Sequence, residues 1–150
     1  MSTTPSSATE TASGIAVSSG TLSRLLGHAA GQGRSVTAWR VLSGLDRDGA
    51  QRVGDLALQQ RVAQPTMTGL VIRLEQDHMV SRRPDPNDGR ASLVELTAQG
   101  REEVEAYRLR AYTALAGGIQ ALPDADQQVL ATAAPLLAKL CEELAAQLDR

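Results

Sequence analysis

The amino-acid sequence predicts a mainly α-helical fold carrying one small β-element. Three observations lead there. Apolar residues recur at three- and four-residue intervals through most of the chain, the spacing of helices packed along one face. Hydrophobic residues make up 42% of the chain but aromatics only 2%, with no Phe, so the core must come from Ala, Leu and Val, which suits helices better than sheets. A single stretch, near 80–96, shows short strand-like segments around a run of turn formers. The 150 residues are enough for one core without a staple, and the lone Cys141 excludes an intrachain disulfide.

Residues 1–14 hold eight Ser or Thr and almost no large apolar side chain, so a disordered tail is expected there. Ile15, Leu22, Leu25, Leu26 and Ala29 predict a first helix to about Ala30, weakened by Gly20 and Gly27. Ser35 suits an N-cap for a second helix from Val36 to about Leu45, closed by the turn formers Asp46 to Gly49. A third helix spans about 53–61. Pro65 is tolerated only in a first turn, so it marks the start of a fourth, running to about His78 with Met67, Leu70, Val71 and Leu74 on its packed stripe. His78 falls at the end of that stripe, which predicts a structural role. Val80–Pro84 and Ser92–Leu96 then read as strands of a hairpin with an exposed tip. Thr97 caps a long helix to about Ala116, weakened at its end by Gly117 and Gly118. Pro123 and Asp124 open a last helix whose Leu130, Ala133, Leu137, Leu140, Leu144 and Leu148 keep helical spacing, with a kink expected at Pro135.

Composition narrows the function. No basic and apolar leader follows Met1 and no apolar run approaches the roughly 18 residues of a membrane span, which predicts a cytoplasmic protein without a membrane partner. Net charge is −2, but residues 34–90 hold nine Arg against seven acids while residues 121–150 hold two bases against five acids. His28, His78 and Cys141 do not stand at metal-ligand spacing, and neither a phosphate-binding Gly loop nor a Ser-His-Asp set is present. Neither a metal, a cofactor nor an enzymatic activity is expected. Cys141 lies between Leu140 and Leu144 beside two glutamates, the place of a buried and unactivated thiol.

Helix, short turn, helix and hairpin follow one another as in a winged helix-turn-helix. The residues are more specific than the order. Leu56 and Ala57, VAQPTMT from Val62 to Thr68, Arg73, Leu74 and Glu75, Val80, DPNDGR from Asp85 to Arg90, and Leu96, Thr97 and Gly100 together closely resemble the MarR family of bacterial transcription regulators. The motifs cover about Ser35 to Gly100, and the order of helices extends the likeness to both ends. The resemblance implies a winged helix-turn-helix at 35–97, flanked by dimerisation helices at 15–34 and 98–150. It implies a homodimer that binds double-stranded, pseudo-palindromic DNA, usually as a repressor relieved by a small ligand. Some relatives bind zinc, which keeps His28 with nearby carboxylates open as a site.

Placing the packed stripe of the fourth helix inward turns Pro65, Gly69, Ile72, Arg73 and Gln76 outward, with Thr66 and Thr68 at the shoulders and Gln64 at the start. The candidate DNA-binding set is therefore Gln64, Pro65, Thr66, Thr68, Gly69 and Arg73, joined by Asp88 and Arg90 at the wing tip. Arg90 suits a narrow minor groove, and Asp88 is placed to aim it. Of Arg82 and Arg83, which alternate faces, one is expected to reach phosphate. Where family members carry Ser at the helix cap and a basic residue after the second Thr, this chain has Ala63 and Gly69. Ile72 suits a thymine methyl and equally suits an isolated exposed aliphatic. A small effector is expected near Leu26, Trp39, Leu42 and Tyr112, each of which also fits plain core. The competing reading is a winged-helix protein-interaction module without sequence-specific DNA binding, supported by the low basic charge, Gly69 and Ile72.

Overall fold

The computed structural model describes residues 7–31 and 33–148, with the side chains of Gly89 and Arg90 outside the description. Residues 1–6 of the expected tail also fall outside it. Helix α1 runs Ser7–Ala30, so the helix begins eight residues before Ile15. Ala8, Glu10 and Ala12 favour helix, Glu10 complements the positive N-terminal dipole, and the Thr11 hydroxyl donates to the Ser7 carbonyl at 2.9 Å. Helix α2 spans Val36–Asp48. Ser35 caps it as expected, accepting the Ala38 N–H at 3.2 Å, and Gly49 ends it at φ 81° with its N–H on the Leu45 carbonyl.

Strand β1 is only Gln51–Arg52, too short to leave a period in the sequence. Helices α3 (Val53–Gln60) and α4 (Gln64–Gln76) follow, then strands β2 (Val80–Asp85) and β3 (Asp88–Leu96). The sheet is antiparallel in the order β1-β3-β2, with Arg52 opposite Leu93 and Val80 opposite Leu96. One core joins these elements: Trp39, Val41, Leu42 and Leu45 from α2, Leu56 from α3, Met67, Leu70, Val71 and Leu74 from α4, and Val80, Val94 and Leu96 from the sheet.

Helix α5 spans Ala98–Gln120 and passes through Gly117 and Gly118. Glycine weakens a helix by about 1 kcal/mol but breaks no hydrogen bond, so the chain leaves the helix only near Pro123, which disfavours helical geometry at Leu122. The Thr97 hydroxyl accepts the Gly100 N–H at 2.9 Å and donates to the His78 carbonyl at 2.6 Å. A Cβ at Gly100 would run into the Met79 carbonyl, so Thr97 and Gly100 together seat the start of α5 against the exit of α4.

Two compact units divide the chain, one ending at Tyr112 and the other beginning at Thr113. Helix α6 (Asp124–Leu148) belongs to the second and continues through Pro135. None of its described residues is buried, and Cys141 is exposed, against the expectation of a core thiol. Helical spacing sets which leucines share a face, but burial needs a covering element, so the spacing alone does not bury them.

Candidate nucleic-acid interface

The two helices of the turn are closed by the same device. After α3 the Val62 N–H reaches the Ala57 carbonyl and the Arg61 N–H reaches the Leu58 carbonyl, each at 3.1 Å. After α4 the Met79 N–H reaches the Leu74 carbonyl at 2.9 Å and the His78 N–H reaches the Glu75 carbonyl at 3.0 Å. These are Schellman closures, which require a left-handed residue. Here those residues are Arg61 (φ 53°) and His78 (φ 58°), where glycine is usual. The closure stops α4 at Gln76 and turns His78 out to solvent, so His78 is not part of the packed stripe.

On α4, Met67, Leu70, Val71 and Leu74 are buried as expected. Gln64, Pro65, Thr66, Gly69, Ile72, Arg73 and Gln76 are exposed and Thr68 is half-buried. The Thr68 hydroxyl donates to the Gln64 carbonyl at 2.9 Å, so its proton is held by the helix itself. Ala63 supplies no side-chain cap. A Cβ at Gly69 would meet nothing within 4 Å.

The cations divide into two groups. Arg34 pairs with Asp77 at 2.5 Å, Arg82 with Glu75 at 3.4 Å and Arg83 with Glu95 at 2.9 Å. Both arginines of the wing strand are thus drawn to carboxylates. Arg61 and Arg73 are exposed and have no ion-pair partner among the described residues. They stand at the turn entering α4 and on its outer face.

The wing is braced from its base. Asp85 is buried, with 5% of its surface exposed, although it lies next to the hairpin tip. Its carboxylate accepts the Asn87 N–H at 2.8 Å and the Arg52 Nε at 2.7 Å. Those two donors, the Asn87 amide first, hold the Asp85 carboxyl below the usual aspartate range. The carboxylate in turn pushes the Arg52 guanidinium further up, and Asp88 lies 3.9 Å from it. Arg52 escaped the sequence reading. Its role depends on the β1–β3 pairing that brings residue 52 beside the hairpin, 33 positions later in sequence. Asp85 did carry a signal, as the first residue of the DPNDGR run. Arg90 lies on β3 and its side chain falls outside the described residues.

The residues expected around an effector differ widely in exposure. Leu42 has no exposed surface, Tyr112 is 64% exposed and Leu26 is half-buried. Trp39 stacks on Tyr107 with centroids 4.2 Å apart, and its indole N–H donates to the Gly31 carbonyl at 2.9 Å. A cleft of about 120 Å³ lies beside that aromatic pair, bordered also by Ser23, Val36 and Arg40. Among the described residues no three His, Cys, Asp or Glu side chains gather to hold a metal, and no helix is long and apolar enough to cross a membrane.

Comparison with known proteins bears directly on this arrangement. The pattern of the MarR family matches residues 35–92, the segment from the α2 cap into β3. An HTH-type transcriptional regulator of Mycobacterium tuberculosis is 34% identical over 109 residues, covering 73% of this chain and 76% of that one. The chain belongs to the MarR family. A MarR family protein from Bacillus stearothermophilus shares the fold, with a TM-score of 0.74 at 20% identity over 96% of this chain and 99% of that one. The transcriptional activatory protein BadR of Rhodopseudomonas palustris is 37% identical over 87 residues, covering 54% of this chain and 50% of that one. MarR proteins are DNA-binding transcriptional regulators rather than enzymes, and the fold of this chain is the winged-helix fold of those regulators.

Proposed function

We propose that this MarR regulator acts as a homodimer on a pseudo-palindromic duplex site, with α4 in the major groove and the wing tip at the minor groove. The observation that carries the reading is the two-sided character of α4. One face is locked into the core, and the other presents Gln64, Pro65, Thr66, Gly69 and Arg73, with Thr68 at the shoulder. Asp88 and Arg90 complete the set at the wing, which Asp85 and Arg52 hold in shape.

The dimer reading rests on α6. Leu130, Leu137, Leu140, Leu144 and Leu148 all remain exposed on the single chain, a row that a second copy would cover. On this reading residues 15–34 and 98–150 supply the dimer contacts.

For the sign of control we carry repression relieved by a small ligand, the usual mode of the family. The cleft beside Trp39 and Tyr107 is the place for the ligand. At about 120 Å³ it falls below the roughly 300 Å³ of a typical small-molecule pocket, so it must widen to admit one. Activation is the second reading, favoured by the similarity to BadR.

Footprinting on the DNA that flanks the protein's own gene, with a salt titration and sedimentation of the free protein, tests the proposal. Expected are a two-fold symmetric footprint, steep salt dependence and a dimer. Salt-independent binding or a monomer at the concentration of half-maximal binding would overturn it. A reporter behind the footprinted site reads the sign.

A further inference from the structure

Residues 65, 68, 69 and 72 lie at i, i+3, i+4 and i+7 and form one outward stripe along α4. Their chemistry is unusual for a surface that meets base edges. Pro65 offers a ring and no donor. Thr68 has its hydroxyl proton on the Gln64 carbonyl at 2.9 Å, which leaves a methyl and an acceptor oxygen. Gly69 has no side chain, and the space where a Cβ would stand is open. Ile72 is a 43% exposed β-branched aliphatic. Between Pro65 and Ile72 the stripe therefore offers no free side-chain hydrogen-bond donor, and Arg73 and Gln76 follow at its end.

Guanine shows only acceptors, N7 and O6, in the major groove, and adenine shows N7 beside its amino group. None of these acceptors, nor thymine O4, finds a donor on this stripe, so the bases' acceptors do not discriminate and an apolar contact is what can. Thymine alone presents an apolar group there, its C5-methyl. Arg61 and Arg73, without an ion-pair partner among the described residues, flank the stripe with positive charge, which complements phosphate rather than an apolar protein surface. Resting on the DNA-binding reading above, we infer that this stripe selects thymine methyl groups, with Ile72 as the specificity-determining residue.

The test begins with selection of binding sites from a random duplex pool by the full-length protein. Thymines in the selected site are then replaced one at a time by deoxyuridine, which removes only the methyl. At one thymine per half-site the replacement should weaken binding about four-fold, the effect of one buried methyl. Ile72→Ala should bind less tightly and lose that deoxyuridine penalty, while Arg73→Ala should bind less tightly and keep it. Selected sites without such a thymine, indifference to deoxyuridine, or a penalty unchanged in Ile72→Ala would overturn the inference and leave DNA binding standing. A pool that yields no enriched duplex would overturn both and favour a protein partner for this face.

Discussion

Gly69→Ala separates what α4 does for the fold from what it does for recognition. Gly69 is exposed, lies in the middle of the helix, and has nothing within 4 Å of an added Cβ. Replacing a mid-helix glycine by alanine should then stabilise the protein by about 0.8–1.0 kcal/mol. For a chain of 150 residues that raises Tm by about 3 °C. The same methyl projects from the recognition stripe between Pro65 and Ile72. If the backbone at Gly69 approaches the bases, the methyl overpacks that contact and should cost about 1–3 kcal/mol of DNA affinity. Calorimetry at matched protein concentration reads the first effect, and fluorescence anisotropy on a footprinted duplex at fixed salt reads the second. Gly100→Ala is the contrast: its Cβ meets the Met79 carbonyl, so Tm should fall. A lower Tm for Gly69→Ala would refute the local account of α4. Unchanged DNA affinity would refute the close approach of residue 69 to DNA.

Three further outcomes are expected. Arg61→Gly relieves a left-handed residue and should add about 1 kcal/mol to stability, while its DNA binding weakens and the salt slope falls by about 1 if Arg61 meets phosphate; denaturant melts and a salt titration read the two effects. Asp85 titrates below the usual aspartate range in the folded protein, so its contribution is complete above the unfolded value and is lost as pH falls through the folded one. Asp85→Asn should therefore make acid unfolding below about pH 4 less steep, as followed by circular dichroism, and it should loosen the wing because Arg52 loses its carboxylate. Arg90→Ala should weaken binding to all related sites by about 1–3 kcal/mol and Asp88→Ala by less, whereas Gln64→Ala should change base preference, all read on a panel of operator variants.

Much of the fold was legible in the sequence because its signals are local. Pro65 and the Met67, Leu70, Val71 and Leu74 stripe located α4 and its buried face from periodicity alone. Ser35 and Thr97 cap the helices that their side-chain chemistry suits. The DPNDGR run and the Leu96, Thr97 and Gly100 signature marked the wing and its exit, and Gly100 turns out to be the residue that lets α5 close against Met79. Helix ends were less legible. Glycine at 117 and 118 did not stop α5, a serine-rich segment did not keep α1 from starting at Ser7, and His78 closes α4 in a left-handed conformation that its residue type does not announce.

The sequence by itself determined the family, the helix order, the buried face of α4 and therefore the outward set from Gln64 to Arg73. Tertiary structure alone decided which charged side chains around that face are engaged. Only the folded chain shows Arg34, Arg82 and Arg83 bound to carboxylates while Arg61 and Arg73 have no ion-pair partner among the described residues, and Arg52 brought to Asp85 through the β1–β3 pairing. Tertiary structure also decided that Cys141 is exposed on the single chain, which its place between leucines does not announce. The division has a physical basis. Periodicity, capping and turn preference act over a few residues and are written in consecutive letters. Hydrogen bonds and ion pairs between distant residues depend on where the backbone brings them, and burial depends on what else lies there.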